Sequence, residues 1–110
     1  MTPFEKLTYT YTKKKVLILG LGLQGRGVGD VKFFSEIGAN VTITDLKSEQ
    51  ELQPSLNQLK DLNPTFHLGQ HRPQDILDAD VIIRNASVPW NHPLLELARQ
   101  HHKPIKEDAC

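Results

Sequence analysis

Apolar positions along the chain follow two rhythms. Val16-Leu17-Ile18-Leu19, Val41-Thr42-Ile43-Thr44 and Val81-Ile82-Ile83 are short, nearly continuous runs. Between them, apolar residues return every three or four positions, as in Val28, Val31, Phe34 and Ile37. A short aliphatic run bounded by glycine or polar residues predicts a strand buried on both faces, and the longer period predicts an amphipathic helix. The pattern gives strands at Val16–Leu19, Val41–Thr44 (finishing at Asp45), Thr65–Leu68, Asp80–Ile83 and Pro104–Lys106. Helices are predicted near Gln24–Ile37, Leu52–Leu62, Gln74–Leu77 and Pro93–His102, with Gly38 as a C-cap. Residues 1–14 stay open: Thr8-Tyr9-Thr10-Tyr11-Thr12 alternates like a strand but fits a loose lead-in equally well. Strand and helix alternate throughout, which predicts an α/β domain: a roughly five-stranded parallel sheet with helices on both faces and right-handed crossovers.

The first strand runs into Gly20-Leu21-Gly22-Leu23-Gln24-Gly25, a Gly-x-Gly-x-x-Gly spacing with a helix after it. In that setting Gly20 serves the tight turn, Gly22 lets a phosphate approach bare backbone, and Gly25 lets the helix pack on the strand. Unpaired N–H groups and the positive dipole end of the new helix favour an anion there. The plain alternative is a glycine-rich turn that binds nothing. Gly27 and Gly29 each cost about 1 kcal/mol inside a helix, so close approach of the first turn to a strand or ligand is expected. Asp45 follows Gly25 by twenty residues, where a dinucleotide fold sets an acid against ribose hydroxyls; it also suits a turn or helix cap. Ligands of such sheets bind outside the carboxyl ends of the strands. Three such ends carry unusual residues: Gly20–Gly25, Asp45-Leu46-Lys47 and Arg84–Trp90. Lys47 reads either as a charge near a phosphate or ring carbonyl, or as an ordinary solvated lysine.

Composition narrows the picture. The chain has 110 residues, 38% hydrophobic, enough for one small core. Thirteen basic and thirteen acidic residues cancel, so no nucleic-acid surface is expected. No apolar stretch approaches the roughly 20 residues that span a membrane. With Cys110 as the single cysteine and no signal-peptide core before Tyr11, the reading is a soluble, cytoplasmic protein. A phosphate-transferring P-loop would need Gly-x4-Gly-Lys-[Ser/Thr]; Gly22 and Gly27 have the spacing, but Val28 and Gly29 hold the last two places. His67, His71, His92, His101 and His102 share no ligand pattern with Cys or carboxylates, so no metal site is expected. No nucleophile–base pair stands out, and no catalytic residue is assigned. The chain reads as a binding module.

The segment from Val16 to Gly25 resembles the opening of the Mur ligases, and within them the D-glutamate-adding branch. Thr44-Asp45-Leu46-Lys47 is similar to that branch's strand-end acid and uracil-contacting pair. The most specific likeness is Arg84-Asn85-Ala86-Ser87-Val88-Pro89-Trp90-Asn91-His92-Pro93, which resembles the family's Lys-Asn-Pro-Gly-Ile-Pro-Tyr-x-Asn-Pro. Pro104-Ile105-Lys106-Glu107-Asp108 looks like the end of the family's first domain. The resemblance covers residues 15–110 and implies a single Rossmann-like domain, part of a three-domain ligase. That domain would bind the UDP part of UDP-N-acetylmuramoyl-L-alanine and use no NAD. By resemblance, Gly20, Gly22, Leu23, Gln24 and Gly25 meet the diphosphate, and Asp45, Leu46 and Lys47 the uracil and ribose. Asn85, Ala86 and Ser87 stand near the ligand. The cofactors ATP and magnesium, which phosphorylate the substrate carboxylate before the amine of D-glutamate attacks, belong to the family's other domains. This segment alone is expected to be inactive. Two departures matter: Gln24 replaces a threonine or serine, and Ala86-Ser87 replaces Pro-Gly. A serine forced into a positive φ would be strained or would narrow the site. The rivals are an NAD(P)-binding oxidoreductase or sensor domain with Asp45 on the adenosine ribose, and a degenerate domain that only folds or interacts.

Overall fold

A computed structural model describes residues 1–107; Asp108 and Cys110, both used in the sequence reading, lie outside them. Ten elements alternate: α1 (Pro3–Tyr11), β1 (Lys15–Leu19), α2 (Arg26–Glu36), β2 (Asn40–Asp45), α3 (Gln53–Asn57), β3 (Thr65–Leu68), α4 (Pro73–Asp78), β4 (Val81–Arg84), α5 (Pro93–Gln100) and β5 (Ile105–Lys106). The strands form one five-stranded sheet in the order β3-β2-β1-β4-β5, and every pair is parallel. The fold is α/β and Rossmann-like.

Alternation within the buried strands divides the core in two. Val16 and Ile18 of β1, with Val41, Ile43, Val81 and Ile83, meet Val28, Val31, Phe34 and Ile37 from α2 and its end, and Leu52 and Leu59 around α3. Leu17 and Leu19 point the other way, with Ile82, onto Ile76 of α4 and Leu94, Leu95 and Ala98 of α5. Both faces of β1 are therefore dry, which is why its sequence is apolar without a break. The order places β1 between β2 and β4, and the chain reverses its direction of growth there. Leu19 pairs with both Thr44 and Arg84, so three strands end level at that reversal.

Residues 1–14 are neither strand nor loose lead-in. Pro3–Tyr11 is a helix closed at its start by a capping box: the Thr2 hydroxyl accepts from Glu5 N (3.1 Å), and the Glu5 carboxylate accepts from Thr2 N (3.3 Å). Thr8 and Thr10 donate back to Phe4 and Lys6 carbonyls, so the β-branched residues satisfy themselves within the helix. Tyr11 meets Phe34 edge-on, with ring centroids 5.1 Å apart, and Lys13 N bonds Gly38 O at 2.8 Å. Those contacts seat α1 on the α2 side.

The expected helix over Leu52–Leu62 is also shorter than its pattern. After Asn57 the bonds tighten to i→i+3, from Leu59 N to Leu56 O and from Leu62 N to Leu59 O. Its apolar face is nevertheless kept, with Leu52 and Leu59 buried and Leu56 and Leu62 packed against them. The fourth strand begins one residue later than predicted, at Val81; Asp80 just before it donates its N–H to Lys15 O (2.8 Å) and accepts Lys15 N on its carboxylate (2.8 Å). Gly38, with φ +86°, ends α2 as expected.

Candidate functional site

The Gly20–Gly25 turn is built from residues that need to lack a side chain for different reasons. Gly20 has φ +95°, and a Cβ there would lie 2.8 Å from Asn85 Cβ. Gly22 has φ +68°, and its Cβ would stand 3.4 Å from Asn85 Nδ2. Gly25, assigned by spacing to helix–strand packing, has open space around its Cβ position. What it supplies is φ +92° at the N-cap of α2. The packing glycine is Gly27, whose Cβ would fall 2.0 Å from Leu21 O. Helix α2 packs against the turn two residues later than the motif suggests. Gly29 meets nothing within 4 Å, so close approach to a strand does not explain it.

Three neighbours hold this turn. Asp45, at the end of β2 and 8% exposed, accepts Leu21 N (2.8 Å) and Gly22 N (3.2 Å) on Oδ2 and Lys47 N (2.9 Å) on Oδ1. Ser55 of α3, fully buried, donates to Gly22 O at 2.6 Å. Asn85, just past β4, donates from Nδ2 to Gly20 O (3.3 Å), while its Oδ1 accepts Ser87 N (2.9 Å). Asp45 thus braces the phosphate-type turn from behind, and both its oxygens have partners within the chain. Ser87 is free of the strain its replacement of glycine raised: among the described non-glycine residues only Lys13 and His102 have positive φ.

In front of the turn lies a cleft of about 440 Å³ lined by Leu21, Gly22, Leu23, Gln24, Arg26, Lys47, Asn85, Ala86 and Ser87. Seven residues singled out from sequence (Gly22, Leu23, Gln24, Lys47, Asn85, Ala86 and Ser87) meet there, drawn from three strand ends. Gly20 and Gly25 shape the turn without lining the cleft, Asp45 sits behind it, and Leu46 is 62% exposed beside it. The lining carries two cationic side chains, Arg26 and Lys47, and no carboxylate. Sequence reasoning missed Arg26, although the first helical residue after such a turn is a natural place for a phosphate-facing charge. It also missed Ser55, for which the sequence holds no signal. A larger cavity of about 600 Å³ lies between α3 and the β3 edge and shares none of these residues.

The loop that follows β4 is held from below. The buried Arg84 guanidinium donates to Val88 O, pairs with Glu107 at 2.6 Å and lies 4.0 Å from the Trp90 ring centroid. Its Nε has no hydrogen-bond partner among the described residues. Nearby, His71 Nδ1 stands 2.7 Å from the Thr44 hydroxyl, and its ring meets His92 edge-on at 5.9 Å. Burial lowers the His71 pKa, helped by His92 and opposed by Asp45 and Asp75. His92 in turn caps α5, with Nδ1 accepting Leu94 N (3.1 Å).

Comparison with known proteins identifies the family. The sequence model of the Mur ligase MurD-like N-terminal domain matches residues 14–106. UDP-N-acetylmuramoylalanine–D-glutamate ligase of Roseiflexus sp. is 42% identical over 86 residues, covering 78% of this chain and 18% of the relative. The ligase of the same name from Citrifermentans bemidjiense is 38% identical over 96 residues, or 87% of this chain and 21% of the relative. The one from Borreliella afzelii is 42% identical over 86 residues, 76% and 19% respectively. The chain therefore spans about a fifth of the length of these relatives. A Serratia marcescens short-chain dehydrogenase/reductase variant superposes with a TM-score of 0.58 at 16% identity, over 84% of this chain and 51% of its own, a likeness of fold alone. With a family match across nearly all of its described length, the chain belongs to the Mur ligase family, as a MurD-like N-terminal domain.

Proposed function

We propose that this domain holds the UDP part of UDP-N-acetylmuramoyl-L-alanine, or of a related UDP-sugar, for an ATP-dependent D-glutamate-adding ligase. The observation that carries the reading is the cleft in front of Gly22–Gln24: it has two cations, no carboxylate, and a glycine turn whose backbone is already fixed. An anionic ligand gains there from Arg26, Lys47 and the N-terminal end of α2 without reordering the turn. The relatives' printed name supports the substrate.

These residues do not hold ATP in the manner of a P-loop. Val28 and Gly29 occupy the places where a P-loop carries its lysine and hydroxyl, and Gly27 is packed against Leu21 O. In this reading phosphorylation of the substrate and attack by the amino acid fall to the remaining domains of the parent ligase, with ATP and magnesium there. A cytoplasmic place goes with the same reading.

Amide NMR of the 110-residue chain titrated with UDP-N-acetylmuramoyl-L-alanine tests the site. The expected shifts gather at Gly22–Arg26, Lys47 and Asn85–Ser87. Shifts gathered instead around the α3–β3 cavity, at Leu56, Phe66 and Gly69, would contradict this placement.

A further inference from the structure

We infer that Ser55 is a positioning residue for the diphosphate, acting through the Gly22–Leu23 peptide. This rests on the UDP-sugar reading above and assigns a role in it to a residue far from the glycine motif in sequence.

The argument is one of peptide planarity. In a trans peptide the C=O and the following N–H point in opposite directions, and no cis peptide occurs among the described residues. The Gly20 carbonyl is taken by Asn85 Nδ2, and the Leu21 N–H on the same peptide goes the other way, to Asp45. One peptide later Gly22 N also goes to Asp45. The next peptide joins Gly22 to Leu23. Its carbonyl, Gly22 O, is drawn toward α3 by the Ser55 hydroxyl at 2.6 Å, so Leu23 N–H points away from α3. Leu23 and Gln24 both line the cleft. The N–H groups of Leu23, Gln24 and Gly25 make no hydrogen bond among the described residues.

Gly22, with φ +68° and no side chain, is the residue around which that plane would otherwise swing. A free glycine turn would lose orientational entropy on binding phosphate; Ser55 sets the orientation beforehand. Ser55 is 1% exposed, and its buried hydroxyl is satisfied by Gly22 O. The assignment thus explains a polar residue at the buried face of a short helix. The ligand group that Leu23 N–H receives is a phosphate oxygen, the acceptor with negative charge that suits a run of unpaired amides.

The test uses the 110-residue chain, UDP-N-acetylmuramoyl-L-alanine, calorimetry and the Leu23 amide resonance. Wild type should bind, with Leu23 N–H among the most strongly shifted amides. Ser55→Ala should weaken binding roughly ten-fold, the effect of one misplaced charge-assisted hydrogen bond. It should also move the Leu23 resonance in the unliganded protein, and Ser55→Thr, which keeps the hydroxyl, should recover most of the affinity. A Ser55→Ala protein that is folded and binds like wild type overturns the assignment. If Ser55→Ala does not fold, a wild-type Leu23 amide unmoved at saturation overturns it equally. Wild type that binds no UDP-sugar at all refutes the UDP-sugar reading, and this assignment falls with it.

Discussion

Gly22 and Gly27 are both intolerant of side chains, but for opposite reasons, and substitution separates them. A side chain at Gly22 enters the cleft beside Asn85 and carries the strain of φ +68°. Gly22→Val should remove most of the ligand-induced rise in melting temperature while leaving a cooperative melt. At Gly27 the Cβ would fall 2.0 Å from the Leu21 carbonyl oxygen, so α2 must lift off the turn. Gly27→Val should lower the melting temperature of the unliganded domain more than Gly22→Val or Gly25→Ala does. Equal melting of all three variants would contradict the division of roles. The spacing Gly-x-Gly-x-x-Gly made the turn legible but not which glycine packs, because that depends on where the helix axis crosses Leu21. Asp45 was legible as a strand-end acid. Its partners were not, since turn N–H directions exist only once the backbone is folded. His71 adds a pH dependence. Its pKa is lowered from 6.5 in the folded state, so the unfolded chain binds the proton more tightly. The associated stability is full above about pH 6.5 and is lost as pH falls below it toward the folded pKa. His71→Gln, which retains a partner for Thr44, should flatten the fall in melting temperature between pH 7.5 and 5.5. An unchanged slope would show that His71 is not its source.

At the scale of elements, burial on both faces made the sequence readable. β1 starts and stops within a residue of where its apolar run places it, because a parallel strand between two helical layers has no polar positions to blur its limits. Helix α1 shows the converse. Its Thr-Tyr alternation mimics a strand, and its helical state comes from Thr2, Pro3 and Glu5 at its start and Tyr11 docked on Phe34. The signal was present, as a Thr-x-x-Glu box with proline at the first helical position, but it stands outside the apolar pattern. Thr2→Ala should therefore cost about 1 kcal/mol. For a domain of this size that lowers the melting temperature by roughly 4–8 °C, readable by circular dichroism. No change would mean that α1 is held by Tyr11 and Leu7 alone. Likewise α3 kept its apolar face but not its hydrogen-bond pattern, which hydrophobic spacing does not report.

For the whole molecule, the described residues are as compact as a self-contained domain. The radius of gyration is 13.2 Å, against about 13 Å for a compact chain of this length. Two cores flank one sheet, and the cleft lies at the level ends of β1, β2 and β4, where the sheet order reverses. Such a unit is expected to fold and bind alone while leaving chemistry to the rest of a ligase, and ATP consumption dependent on D-glutamate should be absent from the 110-residue chain. What separates the proposed function from that of a dinucleotide-binding domain of the same fold is the ligand the cleft accepts. Calorimetric titration of this chain with UDP-N-acetylmuramoyl-L-alanine and, separately, with NAD measures that directly. The UDP-sugar should bind and NAD should bind more weakly or not at all; tighter binding of NAD would contradict the account.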